Sequence, residues 1–355
     1  MEAKGRGLNP GYCEWRSKVT RESVPFAKFE RVCNNDSQVK IMKKYIVGVD
    51  VGGTKIATGI TDRKGVLKNK VILPTLAKEG VKVSIQQVYS SIETVIRESK
   101  INKKDILGIG IGAPGPLDPA RGIVINPPNL NGWKNVPLVD MVKKKFKKPV
   151  KLENDANAAG MAEVLWGAAV GYKHVLYVTI STGVGNAIII DGKIYHGKNG
   201  MAGEGGHITI NHDDADGKCI CGNVGCVEAL ASGPSTVRRF LKKNVPGKHF
   251  PKKPKSAITM IDLEYAARAG DKAAQKIISE QSKLIGIWLG GMISILDPEI
   301  IVIGGGVSNM KGIFFKNIRE TIPKHSINLY AKKTKVVRAK LRGDVGILGA
   351  ASIMM

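Results

Sequence analysis

Over residues 1–41 apolar and polar positions alternate with no period of 2 or 3.6, because Gly, Pro, Asn and charged residues are mixed throughout. A packed element there would have no apolar face to bury, so a disordered N-terminal extension is expected. Met42 directly precedes the first clear strand and could serve as an initiator. From Tyr45 the pattern sharpens. The run Tyr45-Ile-Val-Gly-Val-Asp-Val51 reads as a buried strand, and 56–61 and 66–73 continue it as an antiparallel meander broken at Asp62-Arg-Lys-Gly65. Apolar residues at 81, 85, 88, 92 and 96 predict a helix over 81–99, and 106–112 reads as another buried strand.

A second cycle starts near 150, with a strand over 150–152, a helix over 156–166 and a hairpin of 174–180 with 187–191. A long helix over 271–296, a strand over 300–303 ending in Gly304-Gly-Gly306 and a short helix over 345–352 complete it. The restart predicts two similar α/β halves with a cleft between them.

No apolar run approaches the ~20 residues that span a bilayer, and no secretory leader pattern opens the chain. A cytoplasmic protein with no membrane partner is expected. The 55 Lys and Arg against 30 Asp and Glu give a net charge of +25, which raises the question of nucleic acid. The excess sits in short clusters such as Lys143-Lys-Lys145 with Lys147-Lys148, and aromatics are only 5% of the chain. Solvated faces explain this better than a stacking groove, so no nucleic-acid partner is expected.

Four constellations could carry chemistry. The first is Asp50-Val-Gly-Gly-Thr-Lys55, where a strand ends in a tight turn. A plain hairpin would explain Gly52 and Gly53 alone. With the Thr54 hydroxyl and the Asp50 carboxylate beside them, the turn can cradle a polyphosphate and hold hydrated Mg²⁺. It opens a strand rather than a helix, so it is not a Walker loop. Gly110-Ile-Gly-Ala-Pro-Gly115 has dinucleotide-loop spacing, but Pro114 and Pro116 forbid the helix that should follow.

The second is Glu153-Asn154-Asp155 ahead of a helix, which reads as capping or, if it faces a cleft, as a carboxylate that accepts a proton from a substrate hydroxyl. The third pairs Gly203-Glu204-Gly-Gly-His207 with Cys219-Ile-Cys221 and Cys226-Val-Glu228. One imidazole and three thiolates suit a closed structural Zn²⁺ site, with His212 a competing ligand because the stretch between His207 and Cys219 is long. The fourth is Ser181-Thr182-Gly183-Val-Gly185, placed in the second half as Asp50 to Lys55 is in the first. Two such turns make a clamp for ATP, with Gly305 and its neighbours leaving room for the adenosine end.

Together these motifs, with Gly112-Ala-Pro-Gly115 and Asn129-Leu-Asn-Gly-Trp133, resemble the ROK family from Tyr45 to the C-terminus. The resemblance implies a two-domain actin-like ATPase fold built of ribonuclease H-like halves. The expected domains are 42–154, joined by a C-terminal helix within 344–355, and 155–343 with the zinc loop. It implies ATP-dependent phosphorylation of a hexose at its 6-hydroxyl, glucose first, with Asp155 as general base. Gly115, Asn129, Asn154, Glu204, His207 and Glu228 would line the sugar, and His207 would ligate zinc with Cys219, Cys221 and Cys226. Mg-ATP, structural zinc and a homodimer or homotetramer follow from the same resemblance. Fructose, mannose, allose, N-acetylglucosamine and N-acetylmannosamine are alternative acceptors, and a sugar-sensing regulator is the alternative class. Its winged helix would need amphipathic helices that 1–41 lack. The family usually carries glycines where this chain has Asn186 and Ala187, which puts nucleotide affinity in question.

Overall fold

A computed structural model describes residues 44–355 apart from 215, 216 and 311; the expected extension of 1–41 lies outside the described residues. In the first half, β1 (Tyr45–Val51), β2 (Lys55–Asp62) and β3 (Leu67–Pro74) form the expected meander. β1 is apolar on both faces and takes the centre, whereas β3 alternates half-buried and exposed residues and takes the edge. Helix α1 (Val81–Ser99) lays its Ile85, Val88, Ile92 and Val95 stripe on the sheet, and a buried Ser91–Thr58 hydroxyl contact of 2.7 Å pins it to β2. The chain then runs through β4 (Ile106–Ala113), a small hairpin of β5 (Leu117–Asp118) and β6 (Ile123–Val124), α2 (Leu138–Phe146) and β7 (Val150–Asn154). β4 and β7 add parallel to β1, giving the order β3-β2-β1-β4-β7.

After α3 (Asp155–Trp166), the second half repeats this plan. β8 (Val175–Ile180), β9 (Val184–Ile190) and β10 (Lys193–Ile194) are antiparallel. Helices α4 (Val227–Ala231), α5 (Gly233–Lys243), α6 (Met260–Arg268) and α7 (Lys272–Leu296) lead to β11 (Ile300–Gly304), then α8 (Ile313–Thr321) and β12 (Lys335–Arg338). β11 and β12 add parallel to β8, so the order is β10-β9-β8-β11-β12. No helix among the described residues is long and apolar enough to cross a membrane.

The last helix, α9 (Val345–Ser352), wedges between the first sheet and α3. It comes so close that a side chain at Gly48 would collide with the Ile347 carbonyl oxygen, and one at Gly110 with that of Ala350. Backbone packed on backbone leaves no space for relaxation. Gly110→Ala should therefore cost about 1–3 kcal/mol or more, as overpacking does, and a denaturant midpoint equal to the parent's would show that α9 can shift.

Candidate functional site

Both glycine turns sit at the C-terminal ends of the central strands. In the first, Gly52 N–H donates to the Lys55 carbonyl at 3.0 Å, and Thr75 braces the turn from outside through Thr75 Oγ1 to the Gly52 carbonyl at 2.6 Å and its N–H to that of Thr54 at 3.0 Å. Gly53 lies flat on the backbone of Asn129, where a side chain would strike the Asn129 carbonyl oxygen. Asn129 thus borders the first glycine turn. Asp50, at the end of β1, packs against Gly346 at the start of α9.

Asn154 caps α3: its Oδ1 accepts from the N–H groups of Ala156 at 2.9 Å and Asn157 at 3.2 Å. That leaves its Nδ2, which faces Gly115 beside a Glu204 carboxylate oxygen. Asp155 is the first residue of α3, and its Oδ1 accepts from Ala156 N–H at 2.7 Å. Its other side is open to water, although protein crowds it elsewhere. Asn154 thus realises the capping, and the adjacent Asp155 is a solvent-exposed carboxylate at the same helix start.

Both aspartates are raised, and Asp50 feels the charge of Asp155. Burial pushes the Asp50 carboxyl up to about 6, helped by the charge of Asp155 and opposed by Lys55. Asp155 is also raised, first by burial and further by Glu204, against the pull of the Ala156 N–H.

In the second turn, Ser181 N–H donates to the Gly183 carbonyl at 2.9 Å, and Gly233 N–H donates to that of Ser181 at 2.9 Å. Thr182 stands on the rim of a cavity of about 830 Å³, walled by the starts of α5 and α6 and by Gly306. Gly305, at φ +79°, lies against the Ile180 backbone instead of lining the cavity. Sequence reasoning missed Val237, Ile258 and Met260, which supply the apolar wall; no motif marks them.

Glu228, read as a sugar ligand, gives one carboxylate oxygen to the Val184 N–H at 2.9 Å and presses on Gly183, so it also braces the second turn from α4. Asn186 does not face the second glycine turn but the loop of Glu204. It is buried, its Oδ1 accepts from Gly205 N–H at 2.9 Å, and so it steadies the loop of Glu204. Ala187 is in the core with Ala159 and Tyr177.

His207, Cys219, Cys221 and Cys226 converge, with their ligand atoms within 4.8 Å of one another. Nδ1 of His207 lies 3.4 Å from Cys219 Sγ, and Cys221 Sγ lies 3.7 Å from Cys226 Sγ. Tetrahedral zinc with its usual bond lengths requires edges of roughly 3.5–3.8 Å. The donor set and both edges fit zinc. His212 stands apart, largely exposed and paired with Asp213 at 2.9 Å. Nδ1 therefore serves the thiol cluster, and Nε2 of His207 is the nitrogen left for another partner.

Two ribonuclease H-like sheets, each with a glycine turn at the end of its central strand, define the two-domain actin-like ATPase fold. The sequence profile of the ROK family matches residues 46–355, and the chain belongs to that family. It is 35% identical to a glucokinase of Thermotoga maritima over 88% of this chain and 98% of that one. A xylose repressor of Caldicellulosiruptor bescii is 31% identical over 87% of this chain and 78% of its own. Among solved structures, a ROK glucokinase from Streptomyces griseus in complex with glucose and AMPPNP superposes with a TM-score of 0.74 at 32% identity, covering 87% of this chain and 98% of that one.

Proposed function

We propose that this chain is an ATP-dependent hexose kinase, with glucose the first candidate acceptor. The observation that carries the reading is Asp155, a solvent-exposed carboxylate at the start of α3, next to Asn154, whose charge acts on Asp50 of the first turn and feels that of Glu204. The hexose 6-hydroxyl oxygen attacks the γ-phosphorus as Asp155 takes its proton. The bond from the γ-phosphorus to the β–γ bridging oxygen breaks, and ADP leaves. Asn154 Nδ2, Glu204, Glu228 and Nε2 of His207 hydrogen-bond the sugar, and Gly115 leaves room for it. The turns at Gly52, Gly53 and Thr54 and at Thr182, Gly183 and Gly185 hold the phosphates, and Lys55 adds positive charge. The 830 Å³ cavity takes the adenosine. Mg²⁺ bound near Asp50 would neutralise phosphate charge, and zinc would hold the loop of Glu204 and His207. We place the lobe boundary at Asn154/Asp155, so that the base sits on the hinge.

The glucokinase relative and the glucose- and AMPPNP-bound neighbour support this reading. ADP release measured across glucose, fructose, mannose, allose and the two N-acetylhexosamines tests it, with one clear best acceptor expected. The repressor relative favours a second reading, a sugar-sensing regulator. Retardation of the chain's own upstream DNA without any ADP release would select it.

The aspartates set a pH dependence. Asp155 must be ionised to act as the base and Asp50 to hold Mg²⁺, and burial raises both, Asp50 to about 6. The kcat/KM should therefore climb with pH through about 6 and level off above it. An acid limb centred near the ordinary carboxylate value of about 4 would remove the coupling.

A further inference from the structure

Glu153 was read only as part of a motif, yet it is a buried carboxylate that meets three donors. Its Oε1 accepts from Asn154 N–H at 2.9 Å and from Asn157 Nδ2 at 3.0 Å, and its Oε2 meets His196 Nε2 at 2.8 Å. The two ends of the last contact belong to different sheets. Glu153 is in β7 of the first sheet, next to Asn154 and Asp155, whereas His196 follows β10 of the second. The carbonyl of His196 in turn accepts from Ala202 N–H at 3.0 Å, which fastens the start of the loop that carries Glu204.

We propose that the Glu153–His196 pair is a positioning tie across the lobe boundary, holding the acceptor loop of Glu204 at a set distance from Asn154 and Asp155. Neither side chain touches the reacting atoms. The pair acts through the residues it holds. Glu153 is 7% exposed at its side chain, so removing the imidazole leaves a buried carboxylate oxygen without a donor, a state that costs more than the hydrogen bond itself gains. His196 is 37% exposed and exchanges protons with solvent, so the tie is a charged pair below its titration and a weaker neutral contact above it. The Glu153 hydrogen bond and charge raise the His196 pKa against partial burial. Among the described residues no other ion pair forms at this imidazole.

The kinetic test rests on the hexose kinase reading; a spectroscopic one does not. In imidazole ¹⁵N spectra, His196 should titrate above the ordinary histidine range in the parent and fall back in Glu153→Gln. Identical midpoints would overturn the tie whatever the chain phosphorylates, and His196→Gln and His196→Leu carry the test alone if Glu153→Gln does not fold. His196→Leu should raise hexose KM by roughly three- to tenfold, the worth of one partly screened hydrogen bond to a charged group, with ATP KM little changed. His196→Gln keeps a donor for Glu153 without titrating. It should recover most of the loss and remove the rise in hexose KM expected of the parent on the alkaline side. A parental KM in His196→Leu, or equal damage to hexose and ATP kinetics, would overturn the tie. If no hexose is turned over by the parent, the hexose kinase reading fails and the spectra decide the pair.

Discussion

Asp155→Ala should lower kcat by about 10²–10⁴-fold, the usual contribution of a positioned general base, while hexose and ATP affinities stay near those of the parent. The affinities should survive because the groups proposed to bind sugar and phosphate are other residues: Asn154, Glu204 and Glu228 on one side, the glycine turns on the other. The helix start should survive too, since Asn154 Oδ1 accepts from both Ala156 and Asn157, so Ala156 N–H keeps a partner when the Asp155 contact is lost. Removing the carboxylate also relieves Asp50 of a neighbouring charge, so the Asp50 carboxyl should move down from about 6. The variant therefore has two signatures, a low kcat and an acid limb displaced to lower pH in whatever turnover remains. Stopped-flow single-turnover and steady-state ADP release measure the first, and the pH profile the second. Near-parental single-turnover rates in a folded variant would take Asp155 out of the chemistry.

Long, one-patterned segments were legible in the sequence. The stripe of α1 and the apolar run of β1 announce themselves, and the repeated order of elements gives the doubled architecture. Elements that bury little were not legible. α2 buries only Leu138 and Val142 in a run rich in lysine; the lysines are solvated as read, Lys145 pairing with Glu93 at 3.1 Å and Lys148 donating to the Lys103 carbonyl at 2.6 Å. α5 starts with Gly233 and Pro234, which look like a turn, and β12 is a four-residue edge strand. β9 begins at Val184, three residues before the expected start, because Gly185 and Asn186 pair with Thr179 and Val178.

The site divides in the same way. Groups close in sequence, such as Asp50 with its turn or the thiol cluster, are visible as spacing. Contacts that depend on how the two sheets face one another are not: the Glu153–His196 pair joins residues 43 apart, and Glu228 reaches Gly183 from 45 residues away. Asn186 shows the limit most directly. Its place beside a glycine turn suggests the nucleotide, but alternation along β9 turns its side chain to the loop of Glu204.

Metal removal should have the second large effect, and its direction follows from where the cluster lies. His207 to Cys226 span an excursion between β10 and α4, outside both sheets, so zinc is not needed to form either core. Without a cation two of the three thiols resist ionisation: burial first, then its neighbours Cys221 and Cys219, push Cys226 up to about 12, burial raises Cys219, and only Cys221 is lowered. Zinc must displace those protons, so its affinity should rise with pH and be lost first in acid. The parent should hold one zinc per chain, and chelation or Cys221→Ala should release it. The loop that carries Glu204 and His207 then loses its anchor. Hexose KM should increase by about tenfold or more, in line with the usual cost of losing support around a metal site. Glu228 follows Cys226 by two residues and holds the Val184 N–H, so ATP KM should also rise, by less. Thermal unfolding should begin at lower temperature, and far-ultraviolet dichroism should change little because the sheets remain. Zinc content, both KM values and the melting curve of one metal-free sample decide the matter together: a sample proved free of metal with parental hexose KM would show that the loop holds its shape without zinc.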